Sequence, residues 1–151
     1  IDVVLLDTTQ DNADKGKAYS QGLLDKAVAR GRSTPDKRDA LLARIKTTTS
    51  YDELAGCDLI VEAVFEDRDV KRVVTEKAEA VLADTAIFAS NTSTLPITGL
   101  ASVSKRPEKF IGIHFFSPVD KMMLVEIIMG EKTGQKALAS ASQRISTPLA
   151  A

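Results

Sequence analysis

The sequence has few of the residues from which proteins build disulfides, metal sites and aromatic surfaces. It contains one cysteine, one histidine and no tryptophan among 151 residues, and only 5% of the residues are aromatic. A single cysteine, Cys57, cannot form an internal disulfide, and we expect no metal site. The lack of disulfides fits a reducing compartment, although a secreted domain without disulfides would fit as well.

The sequence also lacks strong charge of either sign and long apolar runs. The formal net charge is -1 and no basic block is present, so a nucleic-acid or membrane-surface partner has no electrostatic support. No apolar run approaches the ~20 residues that a membrane span requires. The apolar share of 44% and the charged share of 27% are typical of one globular domain of ordinary size.

An initiator methionine and a glycine-rich phosphate loop are missing as well. The chain opens directly on an apolar strand pattern at residues 1–7 and stops at residues 146–151 without an obvious final element. We therefore expect a piece of a longer protein, cut on its N-terminal side and also on its C-terminal side. A sheet that had lost a central strand would have an unpaired edge, so we expect low stability or a rearranged or partnered sheet.

Apolar runs and amphipathic stretches alternate along the rest of the chain. We predict strands at residues 3–6, 47–50, 58–65, 86–89, 110–116 and 124–129. Helices are predicted at residues 11–30 (capped by Gly31), 35–44, 70–82 and 134–145, with a short helix opening at residues 95–97. Strands separated by helices favour βαβ units, hence an α/β, Rossmann-like, doubly wound and mostly parallel sheet whose first βα unit is missing.

In such sheets ligands bind at the carboxyl ends of the strands. That rule places Asp7, Glu66, Ser93 and the loop after His114 on one rim. An acidic residue after the second strand of a dinucleotide-binding fold accepts hydrogen bonds from the adenosine ribose, and Asp7 suits this role. Thr8 follows it rather than arginine, which favours NAD over NADP. Asp7 as an ordinary turn or helix cap is an equally good interpretation.

His114, Glu126 and Ser93 are the candidates for acid–base chemistry. A lone imidazole is an effective general base near neutral pH, a carboxylate on an adjacent strand can orient it, and a hydroxyl can bind a substrate oxygen. Each also has a structural interpretation: His114 as a core histidine bonded to a backbone carbonyl, Glu126 as a partner of a lysine, and Ser93 as a helix N-cap. Glu66 is either a cofactor contact or part of a solvated acidic turn.

Three segments carry a family resemblance: "DLIVEAVFEDRDVK", "IFASNTSTLPIT" and "GIHFFSPVDKMMLVEII". They closely resemble the NAD-binding domain of 3-hydroxyacyl-CoA dehydrogenases, over nearly the whole chain and most weakly beyond Gly134. The wording "HFFSPVDKM" is more similar to the dehydrogenase part of bacterial multifunctional fatty-acid oxidation proteins than to the short stand-alone enzymes.

The resemblance implies a role for each site residue. His114 is the general base that takes the proton of the 3-hydroxyl, Glu126 orients it, and Ser93 binds the substrate oxygen near the nicotinamide. Asp7 holds the adenosine ribose. The cofactor site is lined by Val64, Phe65, Glu66, Lys71 and Ser117, and many relatives have Asn at the Ser117 position. Lys15 and Lys17 are candidates for contacts with CoA phosphates.

The implied activity is the oxidation of (S)-3-hydroxyacyl-CoA to 3-oxoacyl-CoA with NAD, a step of β-oxidation, in a cytoplasmic bacterial protein that is a homo-oligomer or part of a multifunctional complex. Residues 1–151 then form a partial NAD-binding domain without the helical C-terminal domain and the catalytic Asn of the family. The alternatives are a non-catalytic fragment or interaction module, which we expect of the isolated chain, and another NAD enzyme of 6-phosphogluconate dehydrogenase type.

Overall fold

The computed structural model describes residues 1–146. The chain divides into two compact units, Ile1–Leu54 and Ala55–Ala151. Residues from Thr147 onward, part of the predicted abrupt end, lie outside the described range. Within that range, none of the helices combines the length and the apolar character that crossing a membrane requires.

The first unit is a β–α–α–β arrangement. Its elements are β1 (Val3–Leu6), α1 (Gln10–Ala29), α2 (Pro35–Ala43) and β2 (Ile45–Thr48), followed by a 3-10 turn at Tyr51–Leu54. The two strands pair in parallel, from Val3 opposite Ile45 to Leu6 opposite Thr48. Because the strands run in the same direction, the two helices fill the crossover that a parallel pair requires.

Helix boundaries in this unit follow from side-chain and glycine caps. Thr9 and Thr34 accept hydrogen bonds from backbone N–H groups in the first turns of α1 and α2. Helix α1 ends at Ala29, and Gly31, which follows the C-cap Arg30, has a φ of 67° in the left-handed region. The Gly31 N–H donates to Val28 O and the Arg32 N–H to Ala27 O, which is the Schellman pattern. The predicted cap at Gly31 is confirmed.

The second unit contains the larger sheet. Its elements are β3 (Leu59–Glu62), α3 (Arg68–Glu79), β4 (Ile87–Ser90), α4 (Ile97–Leu100), β5 (Phe110–Phe115), β6 (Val125–Ile128) and α5 (Gln135–Ser146), with 3-10 turns at Ala101–Val103 and Pro107–Lys109. The sheet order is β3-β4-β5-β6. Strands β3, β4 and β5 are parallel, as predicted, and β6 is antiparallel to β5. Residues 116–124 connect β5 to β6 without a helix. This segment is too short for a crossover to a parallel strand, so β6 runs antiparallel.

The core of this unit lies on both faces of the sheet. On one face, Ile87, Ala89, Ile111 and Ile113 pack together with Ala141 of α5. On the opposite face, a Cβ added at Gly112 would lie only 2.7 Å from the Ile97 side chain of α4. The sheet is therefore covered on two sides, as its apolar parallel strands require.

Two strands, β2 and β3, end two or more residues earlier than predicted because side chains compete for backbone N–H groups. Strand β3 ends at Glu62 rather than at residue 65, since the Glu62 carboxylate accepts the Val64 N–H at 2.8 Å. Strand β2 ends at Thr48, whose hydroxyl accepts the Ser50 N–H at 3.0 Å. Such local bonds offer the backbone an alternative to the sheet.

Candidate active site

His114 and Glu126 face each other across the antiparallel pair of strands. They are register partners of β5 and β6, and His114 Nδ1 lies 2.9 Å from Glu126 Oε2. The histidine side chain is 19% exposed and the glutamate side chain 51%. The ring of Phe116 lies against the imidazole, with 4.6 Å between ring centroids. The imidazole is thus held by a carboxylate and an aromatic ring at the solvent-facing edge of the sheet.

This pairing decides which imidazole nitrogen is available for chemistry. A carboxylate can only accept hydrogen bonds, so the Nδ1 that contacts Glu126 carries the proton. In the neutral ring, Nε2 then carries the lone pair. The structural interpretations of the sequence, in which His114 bonds a backbone carbonyl and Glu126 pairs with a lysine, do not describe the observed contact. His114 is arranged as an oriented base with Nε2 as its reactive atom.

The loop after β4 connects this pair to the neighbouring strands. The Asn91 N–H donates to Glu62 O at 2.7 Å, and Asn91 Oδ1 accepts the N–H of Phe115, the residue after His114, at 3.0 Å. Thr92 accepts the Leu95 N–H at 3.0 Å, and the N-cap of α4 is Pro96, which makes no side-chain capping bond, so Ser93 is not a helix N-cap. Ser93 is exposed, and its hydroxyl has no partner among the described residues. It is free to bind a ligand oxygen.

Glu66 holds the backbone of the Ser93 loop. Its Oε1 accepts the N–H groups of Ser93 at 3.0 Å and Thr94 at 3.1 Å, and it also accepts the hydroxyls of Thr92 and Thr94. Burial would raise the pKa of Glu66, but the hydrogen bonds from Thr92 and Thr94 and the ammonium of Lys71 outweigh it and lower the pKa from 4.5 to about 2. Glu66 is therefore an ionised anchor of this loop rather than a solvated acidic turn.

Lys71 lies beneath the site and not on its surface. The side chain is 2% exposed, and its Nζ lies 2.8 Å from Glu62 Oε1 and 3.4 Å from Glu66 Oε2. Glu62 is equally buried, and its second oxygen accepts the Ser90 hydroxyl at 2.7 Å. Every donor and acceptor of this cluster is thus satisfied within the protein, as buried charges require.

Asp7 lies in the first unit, directly after β1. Its Oδ1 accepts the Thr8 N–H at 2.6 Å and the Asn12 amide at 3.5 Å, while Thr9 is the residue that caps α1. Within the described residues, Oδ2 of Asp7 has no hydrogen-bond partner, so one oxygen remains available to a ribose. Of the two lysines proposed to contact CoA, Lys17 donates to Ile45 O at 2.7 Å and Lys15 is exposed.

The other predicted cofactor contacts are surface residues. Val64 is 36% exposed and Phe65 87% exposed, both in the turn that follows β3. Ser117 is exposed at the end of β5 and precedes a cis peptide bond to Pro118. An apolar side chain as exposed as Phe65 gains little from the fold, so it is available to cover a ligand.

From the sequence alone, Glu62 is a strand-interior carboxylate held by the backbone or by water, and Ser90 and Asn91 have no assigned role. The available signal was Glu62 itself, a carboxylate inside the apolar run of residues 59–65. A buried carboxylate needs a cation and several donors, which Lys71, Ser90 and Val64 supply. Because its partners lie far from it in sequence, the position of Glu62 predicts that partners exist but does not identify them.

A mostly parallel α/β sheet with an oriented histidine and an exposed serine at its strand ends is the arrangement of a Rossmann-like domain of the dehydrogenase class. The chain belongs to the family described as "3-hydroxyacyl-CoA dehydrogenase, NAD binding domain", whose model matches residues 1–147. The resemblance inferred from the three sequence segments is thereby confirmed, and NAD is the cofactor of the family.

Bacterial fatty acid oxidation proteins are among the similar sequences. The chain is 44% identical over 138 residues to the fatty acid oxidation complex subunit alpha of Psychrobacter arcticus, and 45% identical over 138 residues to that of Acinetobacter baylyi. Both alignments cover 91% of this chain and 19% of the relative. The chain therefore spans about a fifth of the length of the curated relatives that it matches.

Solved structures share the fold at similar identity. The chain superposes on (S)-3-hydroxybutyryl-CoA dehydrogenase PaaH1 from Ralstonia eutropha with a TM-score of 0.93 and 36% identity, over 96% of this chain and 51% of that one. For M. tuberculosis FadB2 the TM-score is 0.92 at 32% identity, over 97% of this chain and 52% of that one. These matches confirm the predicted Rossmann-like α/β fold.

Proposed function

We propose that this chain is the NAD-binding part of a dehydrogenase that oxidises (S)-3-hydroxyacyl-CoA to 3-oxoacyl-CoA in fatty-acid β-oxidation. The observation that carries the proposal is the 2.9 Å contact between His114 Nδ1 and Glu126 Oε2. It leaves Nε2 as a base in a chain that belongs to a dehydrogenase family. The relatives that are 3-hydroxybutyryl-CoA dehydrogenases and fatty acid oxidation subunits support the substrate class.

The residues of the chain divide the reaction between them. His114 Nε2 takes the proton of the 3-hydroxyl as the carbon–oxygen bond becomes a carbonyl. Glu126 keeps the ring oriented and stabilises the imidazolium that forms. The Ser93 hydroxyl donates to the substrate oxygen. NAD, when bound, accepts the hydride that leaves C3. The alcohol thus loses a proton and, separately, a hydride, which together account for a two-electron oxidation.

The cofactor is assigned to a smaller set of residues than the sequence implied. In the first unit, Asp7 Oδ2 would accept hydrogen bonds from the adenosine ribose. In the second unit, Val64, Phe65 and Ser117 would contact the cofactor from the surface. Lys71 would act on it only indirectly, since its ammonium is engaged with Glu62, whereas Glu66, with a side chain that is 35% exposed, stays a cofactor contact. This division follows from burial, because a side chain that is 2% exposed has little surface to offer a ligand.

The apolar surroundings of His114 suit an acyl substrate. Phe116 packs at a tilt beside the imidazole, and the loop that leads into β6 exposes Met122 at 42%, Met123 at 99% and Leu124 at 54%. Exposed apolar side chains grouped along one loop favour contact with an apolar ligand or with a covering protein surface. We assign the acyl chain to this side of the site.

A second candidate function is that of a non-catalytic fragment or interaction module, which keeps the sequence motifs without turnover. The observation that favours it is the sequence itself, in which no Gly-x-Gly-x-x-Gly motif occurs among the 151 residues. That motif normally presents backbone N–H groups to the pyrophosphate.

We further propose a cytoplasmic location, and membership of a multifunctional complex or a homo-oligomer for any longer protein that contains this chain.

Titration of the chain with NADH, followed by fluorescence or calorimetry, tests the proposal first. A micromolar dissociation constant, together with acetoacetyl-CoA-dependent oxidation of NADH in the chain or in a longer protein that contains it, is the expected result. Absence of turnover in both proteins, whatever the affinity of the chain for NADH, would favour the second function. Absence of both binding and turnover in the longer protein would refute the dehydrogenase assignment.

A further inference from the structure

The most deeply buried charged group of the second unit is outside the reaction described above. Lys71 is 1% exposed and Glu62 4% exposed, and they form an ion pair of 2.8 Å at the end of β3. Breaking such a pair on one side leaves an uncompensated buried charge, whereas a neutral pair of similar shape is often tolerated. A buried pair therefore needs a reason other than stability alone.

The contacts of this pair lead to the loop that carries Ser93. Glu62 is fixed by three donors: Lys71 Nζ and the Val64 N–H on Oε1, and the Ser90 hydroxyl on Oε2. Lys71 then has its remaining contact with Glu66 Oε2, at 3.4 Å. The other oxygen of Glu66 accepts the Ser93 N–H. One unbroken series of charged contacts thus runs from the buried end of β3 to the substrate-binding loop.

The geometry points to Glu62 as a positioning residue: with Ser90 it fixes the ammonium of Lys71, Lys71 fixes Glu66, and Glu66 holds the Ser93 loop for the substrate oxygen. The inference rests on the proposed function for its catalytic consequence, but the contacts themselves do not. Glu62 touches neither the histidine nor the exposed surface, so any effect of its carboxylate on the Ser93 loop passes through Lys71 or through Ser90.

The position of the Lys71 ammonium depends on the balance between its attraction to Glu62 and its attraction to Glu66. Lys71 Nζ lies closer to Glu62, at 2.8 Å, than to Glu66, at 3.4 Å. Neutralising Glu62 removes the nearer charge and draws the ammonium towards Glu66, because the attraction grows as the distance falls. Glu66 then moves or loses part of its hold on the N–H groups of Ser93 and Thr94.

The test is a Glu62→Gln variant of the full chain, studied by amide NMR and hydrogen exchange. The glutamine keeps the shape and one acceptor oxygen and removes only the charge. We expect the amide resonances of Ser93 and Thr94 to shift and their exchange to accelerate roughly tenfold, as loss of a bond to a charged group implies. Glu79→Gln is the matched control, since Glu79 is also buried on α3 but accepts from Ser104 and Lys105.

A change confined to Val64 and Ser90, with Ser93 and Thr94 unmoved, would overturn the inference. If Glu62→Gln does not fold, the double variant Glu62→Gln/Lys71→Met removes both buried charges, and the same two amides decide the outcome. Failure of both variants to fold would also overturn it, because the cluster would then serve the fold rather than the loop.

The NMR readout does not require turnover, so it remains decisive if the dehydrogenase assignment fails. In a protein that turns over, Glu62→Gln should lower kcat by about tenfold and leave the KM for NADH unchanged, because Ser93 acts on the substrate oxygen. Equal effects on kcat and on the KM for NADH would indicate a general loss of structure instead.

Discussion

The pairing of His114 with Glu126 depends on the register of two strands. The residues are opposite each other in the β5–β6 ladder, so the carboxylate reaches Nδ1 without help from a loop. A site built on strands is held more firmly than one built on loops. Ser93, for which we propose binding of the substrate oxygen, is by contrast on a loop, and Glu66 accepts its N–H.

Replacing His114 with glutamine tests the base directly. Glutamine keeps a polar group near Glu126 but cannot take a proton, so kcat should fall by roughly 10²–10⁴ in a protein that turns over. NADH affinity should be nearly unchanged, since His114 acts on the substrate. Steady-state kinetics with acetoacetyl-CoA and an NADH titration measure the two effects. Lys132→Gln, on the exposed surface, is the control. A His114→Gln protein with wild-type kcat would remove histidine from the mechanism.

Glu66 should make the fold sensitive to acid. Its pKa in the folded chain, about 2, lies below the ordinary 4.5. A depressed pKa means that the ionised carboxylate stabilises the fold above pH 4.5, and that this stabilisation is lost as the pH falls from 4.5 towards 2. Glu66→Gln has no such contribution, so its urea midpoint should decline less than that of the wild type between about pH 5 and about pH 3.

The control for this prediction is Glu76→Gln. Glu76 is a surface residue of α3 that pairs with Arg72 and makes no contact with the Ser93 loop. Its replacement should leave the acid sensitivity of the wild type intact. Parallel declines of the wild-type and Glu66→Gln midpoints would show that Glu66 is not the group responsible.

At the scale of elements, periodicity located the helices and strands, and side-chain bonds set their ends. The amphipathic pattern found α1, α2, α3 and α5 within a few residues. It missed the early end of β3. Hydrophobic periodicity does not reveal that the Glu62 carboxylate accepts the backbone N–H two residues later. The same limit applies to β2, where the Thr48 hydroxyl ends the strand.

The part of the candidate site that lies at the ends of strands could be predicted from the sequence. Glu66 and Ser93 were expected at one rim, and the structure joins them at 3.0 Å. The Glu62–Lys71–Ser90 cluster was not predicted, because its members meet only after α3 packs beside the ends of β3 and β4. A buried polar residue in a sequence indicates that partners exist, but only the packing identifies them.

Gly112 shows how tightly the face that carries His114 is packed. A Cβ at this position would lie 2.7 Å from the Ile97 side chain and 2.9 Å from Ile128. Gly112→Ala should therefore lower the free energy of unfolding by about 1–3 kcal/mol, the usual cost of overpacking a core. Urea denaturation measures the change, and a displaced β5 should also reduce turnover.

Gly22→Ala is the matched comparison. Gly22 lies inside α1, and a Cβ there would meet nothing within 4 Å. Alanine at an unstrained helical position should raise the free energy of unfolding by about 0.5–1 kcal/mol. If both glycines responded alike, steric packing would not be the cause of the loss at Gly112.

For the whole molecule, the two units differ in how much apolar surface they bury. Among the described residues of Ile1–Leu54, the buried apolar side chains are Ala13 and Leu54. The second unit buries a far larger set, which includes Phe88, Phe110, Ile111 and Ile113. The first unit also rests on a sheet of two strands, which is marginal by itself.

We therefore predict that the chain unfolds in two steps and that the first unit opens at lower denaturant. Hydrogen exchange followed by mass spectrometry should show amides of α1 and β2 exchanging well before those of β4 and β5, because local stability follows buried apolar contact. Thermal melting should accordingly be broad and begin at low temperature, in line with the low stability expected of a sheet with open edges. A single cooperative transition with uniform protection would show that the first unit gains support that its own core does not explain.

NADH added to the chain would then separate two causes. If the cofactor binds at Asp7, it should protect β1 and the start of α1 selectively, whereas unspecific stabilisation would slow exchange throughout both units.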